Sequence, residues 1–156
     1  MEWKNLKETL NAYGEALEEA YRQEIVDKSA FASGGLFDSV KAIIDYDGKT
    51  YEASLSMEEY WKWVEDGRGP GKFPPLDKIE EWIRIKPIAP YPDSRGKVPS
   101  NEQLAFLIGR KIANEGTEGR HLLEAAMDKT SDWIGLIEEA IEMDIQAELN
   151  DLLSFL

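Results

Sequence analysis

Residues 66–75 read DGRGPGKFPP, and no regular helix or strand runs through such a stretch unbroken. Pro70, Pro74 and Pro75 each fix φ at about −65° and remove a backbone donor. Gly67, Gly69 and Gly71 admit backbone shapes that other residues resist. The flanks, WKWVE and LDKIEEWI, are rich in tryptophan and are forced into separate elements. Arg68 and Lys72 put positive charge at the rim of the turn, and Phe73 offers an apolar anchor. So stiff a segment loses little entropy when immobilised, which suits an interface; the plainer reading is a connector between two helices. A phosphate-cradling loop fails on spacing. The Walker pattern needs G-x-x-x-x-G-K-[ST], whereas Gly67 and Gly71 stand one residue too close and Phe73 follows Lys72.

Periodicity organises the rest. Trp3, Leu6, Leu10, Tyr13, Leu17, Ala20, Tyr21 and Ile25 step by threes and fours, which predicts one amphipathic helix over about 4–28. Gly14 is its weak point, costing about 1 kcal/mol relative to Ala. SAFASGG then favours a turn. Two runs of β-branched and aromatic residues flank Asp47-Gly48, the signature of a hairpin. Val40, Ala42, Ile44 and Tyr46 would share a face with Tyr51, Ala53 and Leu55. Ser56-x-x-Glu59 predicts a capping box opening a helix with Tyr60, Trp61, Trp63 and Val64, stopped by Gly67. A short helix with Leu76, Ile79, Trp82 and Ile83 inward follows, closed by Pro87. The proline-rich loop at 87–99 is long enough to suggest function or mobility. Ser100-x-x-Gln103 is a second capping box, opening a helix to about 114 with Leu104, Leu107, Ile108 and Ile112 on one face. EGTEGR breaks that helix, and a short helix over 118–129 comes next. From Asp132 onward Ile134, Ile137, Ile141, Ile145, Leu149, Leu152 and Leu156 form a stripe suited to a core or to a partner helix. The expected fold class is α+β in a single domain over 1–156: a long N-terminal helix, a small antiparallel hairpin sheet, several short helices and a long C-terminal amphipathic helix. The last of these, from about 132, could serve as a docking arm.

Charge and composition narrow the function. The net charge of −13 sits in two acidic flanks around a near-neutral middle, which disfavours binding nucleic acid by phosphate neutralisation. It could instead be ordinary solvated surface, or it could let the middle of one copy meet the acidic face of the next. An apolar content of 42% with five Trp is that of a folded chain. No apolar run approaches the roughly 18–20 residues of a membrane span, and MEWKNLKETL lacks the basic-then-apolar layout of a secretory signal. The absence of cysteine excludes thiol catalysis and Cys-ligated zinc, and suits a reducing cytoplasm. His121, the single histidine, has no G-x-S-x-G to accompany it. No H-E-x-x-H or EF-hand pattern occurs, so neither a cofactor nor a metal is expected. Glu80/Glu81 and Glu138/Glu139 splay apart on a helix, while Glu138/Glu142 share a face within an acidic run. A small two-carboxylate hydrolase is the remaining catalytic alternative, because its acids can come from anywhere in a chain.

Three motifs then carry a resemblance. SGGLFDSV, with Ser33, Gly34, Leu36, Ser39 and Val40, matches a turn of the form [ST]-G-x-L-x-x-S-[IV]. YWKWVEDG, with Tyr60, Val64, Glu65 and Gly67, matches Y-x-x-x-[VI]-E-x-G, and it continues as GRGPGKFPPLDKIEEWI through Arg68, Pro70, Gly71, Lys72, Phe73, Pro74 and Pro75. LAFLIGRKIANEGTEGR ends in G-T-x-G-R, with Gly116, Thr117, Gly119 and Arg120. In this order and spacing, over about residues 1–126, the chain resembles the tail-completion or head–tail joining (neck) proteins of long-tailed bacteriophages. His121 and Leu122 depart from the Pro and Phe common in that family. The resemblance implies an α+β subunit without catalytic activity, in a ring expected to be a hexamer, meeting other neck, tail or connector proteins. It implies a place in the virion, synthesis in the host cytoplasm, DNA passing through the channel without specific binding, and no membrane partner. A hairpin edge could pair with a neighbour's sheet in such a ring. The alternative is an acidic cytoplasmic protein-binding module, a regulator or inhibitor, using Trp63 and the Gly/Pro turn.

Overall fold

A computed structural model describes residues 3–30, 34–86 and 88–154; Ser33, Pro87 and Leu156 lie outside these. The fold is α+β, with a long helix at each end and two small antiparallel sheets. Helix α1 spans Lys4–Asp27 and buries Leu6, Leu10, Tyr21 and Ile25, as its stripe predicts. Gly14 is a contact rather than a weak point. A Cβ there would lie 3.0 Å from the Ala42 Cβ and 3.4 Å from Ile44 Cδ1, so the missing side chain lets the hairpin lie on the helix.

After the short helix α2 (Gly35–Ser39) come β1 (Lys41–Tyr46) and β2 (Tyr51–Ser56). Their register pairs Ala42 with Leu55, Ile44 with Ala53 and Tyr46 with Tyr51, the face expected from alternation. The Tyr46 and Tyr51 rings stack with centroids 4.3 Å apart. Asp47 Oδ1 accepts from the amides of Lys49 and Thr50, so the reversal centres on Gly48 and Lys49. Glu18 Oε2 accepts from the Ala42 amide at 2.9 Å. That contact blunts the outer edge of β1 where a neighbouring strand would otherwise start.

The first capping box does not form. Ser56 stays in the β-ladder opposite Lys41, and the next helix, α3, begins only at Trp61 with Tyr60 as its N-cap. Gly67 does end α3 as expected: it follows the C-cap Asp66 with a left-handed φ of 73°. It opens β3 (Gly67–Arg68), which pairs with β4 (Thr117–Glu118). Between these strands lie α4 (Leu76–Ile85) and α5 (Asn101–Glu115), an arm entered and left through the ladder. Ile79, Ile83 and Ala105 form its small core, with Trp82, Leu104, Ile108 and Ile112 around them. Two expected inward residues are exposed instead: Leu76, in the first turn of α4, and Leu107. Ala105 and Gly109 are the buried residues of α5, because small residues let the two helices approach closely. The second capping box is present, with both Ser100 and Gln103 bonded reciprocally.

Helix α6 (Leu122–Lys129) closes the main core. Leu122 and Ala126 pack with Tyr21, Ile25, Leu36 and Val40. Helix α7 (Trp133–Ser154) then runs against α1. Its expected Ile/Leu stripe is covered only in part: Ile137 and Ile141 are half-buried, Ile134, Ile145, Leu149 and Leu152 are exposed, and the buried residues are Ala140 and Asp144. The cause lies at the start of α1. Trp3, its N-cap, offers no capping side chain. Asp144 serves instead, with Oδ2 accepting from the Leu6 amide at 2.8 Å and Oδ1 from the Asn5 amide at 3.1 Å. Glu148 Oε1 accepts from Trp3 Nε1 at 2.8 Å. A carboxylate at a helix N-terminus is favourable, and it turns the Ala140–Asp144 sector toward α1.

Candidate functional site

The segments singled out in the sequence meet at one joint. Glu65, at the end of α3, is buried, and its carboxylate accepts from the amides of Leu122 (2.9 Å) and Leu123 (3.0 Å). It caps α6 from outside, where His121 holds a left-handed φ of 48° and supplies no capping side chain. Backbone bonds continue the joint: the Arg120 amide to the Val64 carbonyl at 2.7 Å, and the His121 amide to the Glu65 carbonyl at 3.2 Å. Next in line is the ladder, with Gly67 opposite Glu118 and Arg68 opposite Thr117.

Three glycines make this approach possible. A Cβ at Gly67 would lie 2.5 Å from the Gly119 nitrogen and closer still to the Thr117 carbonyl oxygen. At Gly116 it would meet the Arg68 carbonyl, and at Gly119 the Asp66 carbonyl carbon at 2.7 Å. Gly67 and Gly116 also have φ of 73° and 78°, which L-residues adopt only at a cost. Every obstruction named is backbone, so no side-chain rotation relieves it.

The charged and aromatic rim is arranged differently from the expectation. Arg68 turns back on its own turn. Its guanidinium donates to the Lys72 carbonyl at 2.6 Å and sits 5.8 Å from the Trp63 ring centroid. Trp63 is 61% exposed, a surface ring rather than a core one. Phe73 does not project freely. It rests on Gly109, where a Cβ would come within 2.7 Å of the ring, and it lies 5.7 Å from the Phe106 ring. Pro74 is buried beside it, Pro75 is the N-cap of α4, and Pro70, Gly71 and Lys72 are exposed. The Gly71 amide donates to the Ala113 carbonyl at 2.7 Å, tying the turn to the end of α5.

The first motif is tied to the chain just before α3. Gly34 has a left-handed φ of 86° and starts α2, and Leu36 is buried in the main core. Ser39 Oγ donates to the Leu36 carbonyl and accepts from the Glu58 amide, pinning the approach to Tyr60, which is 41% exposed. Arg120 donates to the Lys28 carbonyl, and Lys28 Nζ returns bonds to the carbonyls of Arg120 (2.9 Å) and His121 (3.1 Å). The end of α1 is thereby fastened to the same joint.

Long-range partners supply what sequence spacing does not reveal. Buried Glu24 is flanked by Lys28 at 3.4 Å and, closer, by Lys129. The Lys129 hydrogen bond, assisted by Lys28, holds the Glu24 carboxyl below its ordinary value. Burial, and secondarily the negative Glu65, push the Tyr21 phenol well up. Among the described residues no three His, Cys, Asp or Glu side chains gather as a metal-holding group, and no helix is long and apolar enough to cross a membrane. The arrangement at the joint fixes the shape of the backbone and presents Trp63 and Lys72 at the surface. No family model matches the chain, and no match was found among curated proteins or solved structures.

Proposed function

We propose that this chain is a non-catalytic structural subunit that works by docking, as a neck or tail-completion protein at the head–tail junction of a long-tailed bacteriophage. The observation that carries this reading is the convergence of the family-like residues. Glu65, Gly67 and Arg68 meet Thr117, Gly119 and Arg120 across a glycine-dependent ladder, although about fifty residues separate the two sets in the chain. Residue types that matter by shape are placed where two parts of the subunit join, and Lys72, Pro70 and Trp63 face solvent beside that joint. In this reading the partners are further copies in a ring, expected to be a hexamer, and other neck, tail or connector proteins. The acidic surface keeps passing DNA from adhering, since like charges repel, and the working location is the virion.

Inactivating the gene in the phage or prophage that encodes it tests the reading. Filled heads and separate tails should accumulate, seen by electron microscopy, and plasmid-borne wild type should restore joined particles. Lys72→Glu should fold normally yet fail to restore them. Normal tailed particles without the gene would overturn the proposal. A second reading, an acidic regulator that captures one host protein, is favoured by the exposed Trp63 and the Arg68 guanidinium beside it. It predicts a soluble one-to-one complex and no copies in purified particles.

A further inference from the structure

We propose that the outer groove of the arm receives helix α7 of a second copy of this chain; this rests on the subunit reading above. The groove is lined by Tyr91, Lys97, Pro99, Gln103, Phe106 and Leu107. Tyr91 is 91% exposed and Phe106 50%, an apolar surface that water covers in the single chain. Arg110 follows Phe106 by four residues and so extends the same face of α5. Of the two acids at the groove, Asp93 is engaged locally, accepting from the amides of Arg95 and Lys97; Glu102 sits in the first turn of α5. Residues 69–116 hold eight Lys and Arg against six Asp and Glu, an excess of the opposite sign to the whole chain.

Helix α7 has the complementary character. It carries six acidic residues and no basic one. At 3.6 residues per turn, Ile134, Ile141, Ile145, Leu149 and Leu152 form a stripe roughly a quarter turn from the sector packed on α1. Four of the five are exposed. Glu138 and Glu142 border that stripe, so two such helices packed face to face would set acid against acid. A lipid surface is disfavoured for the same reason, since amphipathic helices that lie on anionic membranes carry basic polar faces. The groove offers apolar area together with Lys97 and Arg110. A helix laid into a groove is a common mode of recognition, and a groove-to-helix contact is head-to-tail, the kind that closes rings.

Two surface variants test the contact by sedimentation. One carries Leu149→Asp with Leu152→Asp, the other Tyr91→Asp with Leu107→Asp. Wild type should self-associate at roughly 100 μM, where a micromolar contact is saturated. Each variant alone should stay monomeric with an unchanged melting temperature. Mixed in equal amounts they should give a dimer that grows no further, because each supplies the surface the other lacks. Should either double variant fail to fold, Arg110→Glu replaces it and should weaken association roughly tenfold, more so at low salt. Monomeric wild type, a variant that assembles like wild type, a mixture that stays monomeric, or wild type that instead floats with lipid vesicles would each overturn the contact. Assembly through other surfaces would remove this contact and leave the subunit reading standing. That reading falls only on the gene-inactivation result.

Discussion

Replacing Gly67 by Ala isolates the physical basis of the joint. The added methyl carbon would lie 2.5 Å from the Gly119 nitrogen and 2.7 Å from the Glu118 carbonyl carbon. Separating the strands to admit it costs about 1–3 kcal/mol, the usual range for overpacking. Holding Ala at a φ of 73° adds about 1–2 kcal/mol, for a total of roughly 2–5 kcal/mol. Gly48→Ala is the matched control. Its φ is 93°, but no atom lies within 4 Å of the added carbon, so only the backbone cost of about 1–2 kcal/mol applies. In a domain of this size each kcal/mol shifts the melting temperature by about 2–4 °C. Gly67→Ala should melt roughly 5–15 °C lower and Gly48→Ala only a few degrees lower, followed by circular dichroism. Amide exchange should rise at Arg120, whose donor is held by Val64 across the joint. Equal losses in the two variants, or unaltered exchange at Arg120, would refute the close-approach argument.

The other expectations concern single side chains. Glu65→Ala leaves the buried Leu122 amide without its acceptor and should cost about 2–3 kcal/mol in urea unfolding, with Glu65→Gln recovering part of it; a loss under 0.5 kcal/mol (a bound taken from the range for surface sites) would mean the carboxylate is not what caps α6. Trp63→Ala should cost no more than about 1 kcal/mol, the scale of an exposed cation–π contact, and a fall above about 3 kcal/mol would show a packed core ring. Because its folded value lies below the ordinary 4.5, the Glu24 contribution is complete above that pH and is lost as pH falls through the lowered folded value. Glu24→Gln should therefore flatten the acid limb of a stability–pH curve, and parallel limbs for variant and wild type would contradict this.

Local patterns recovered α1, the hairpin register and the second capping box, because each is written in residues that are near neighbours in the chain. Ser56-x-x-Glu59 has the same local form, yet Ser56 is held by its strand partner Lys41, and a tertiary pairing outweighs a cap. The stripe on α7 was visible as a stripe, but spacing does not say which angular sector meets another helix. Asp144, an acid amid acids in the sequence, decided that by reaching the amides of Asn5 and Leu6. The β3–β4 ladder has two residues per strand, too short for alternation to register. Its only trace was a cluster of glycines in each of two motifs, legible as permissive backbone but not as two halves of one contact. The exposure of Trp63 was not legible for a related reason: an aromatic residue in a one-turn helix has no periodic neighbours to reveal which way it faces.

The chain departs at Arg68 and comes back at Thr117, its direct opposite in the ladder. What lies between is an excursion of the chain that begins and ends at one point. It has a small core of its own in Ile79, Ile83 and Ala105, while the Lys86 ammonium reaches back to the Ser29 carbonyl beyond α1. The frame therefore depends on Gly67, Gly116 and Gly119, where two backbones touch, and not on any side chain of the arm lying across the ladder.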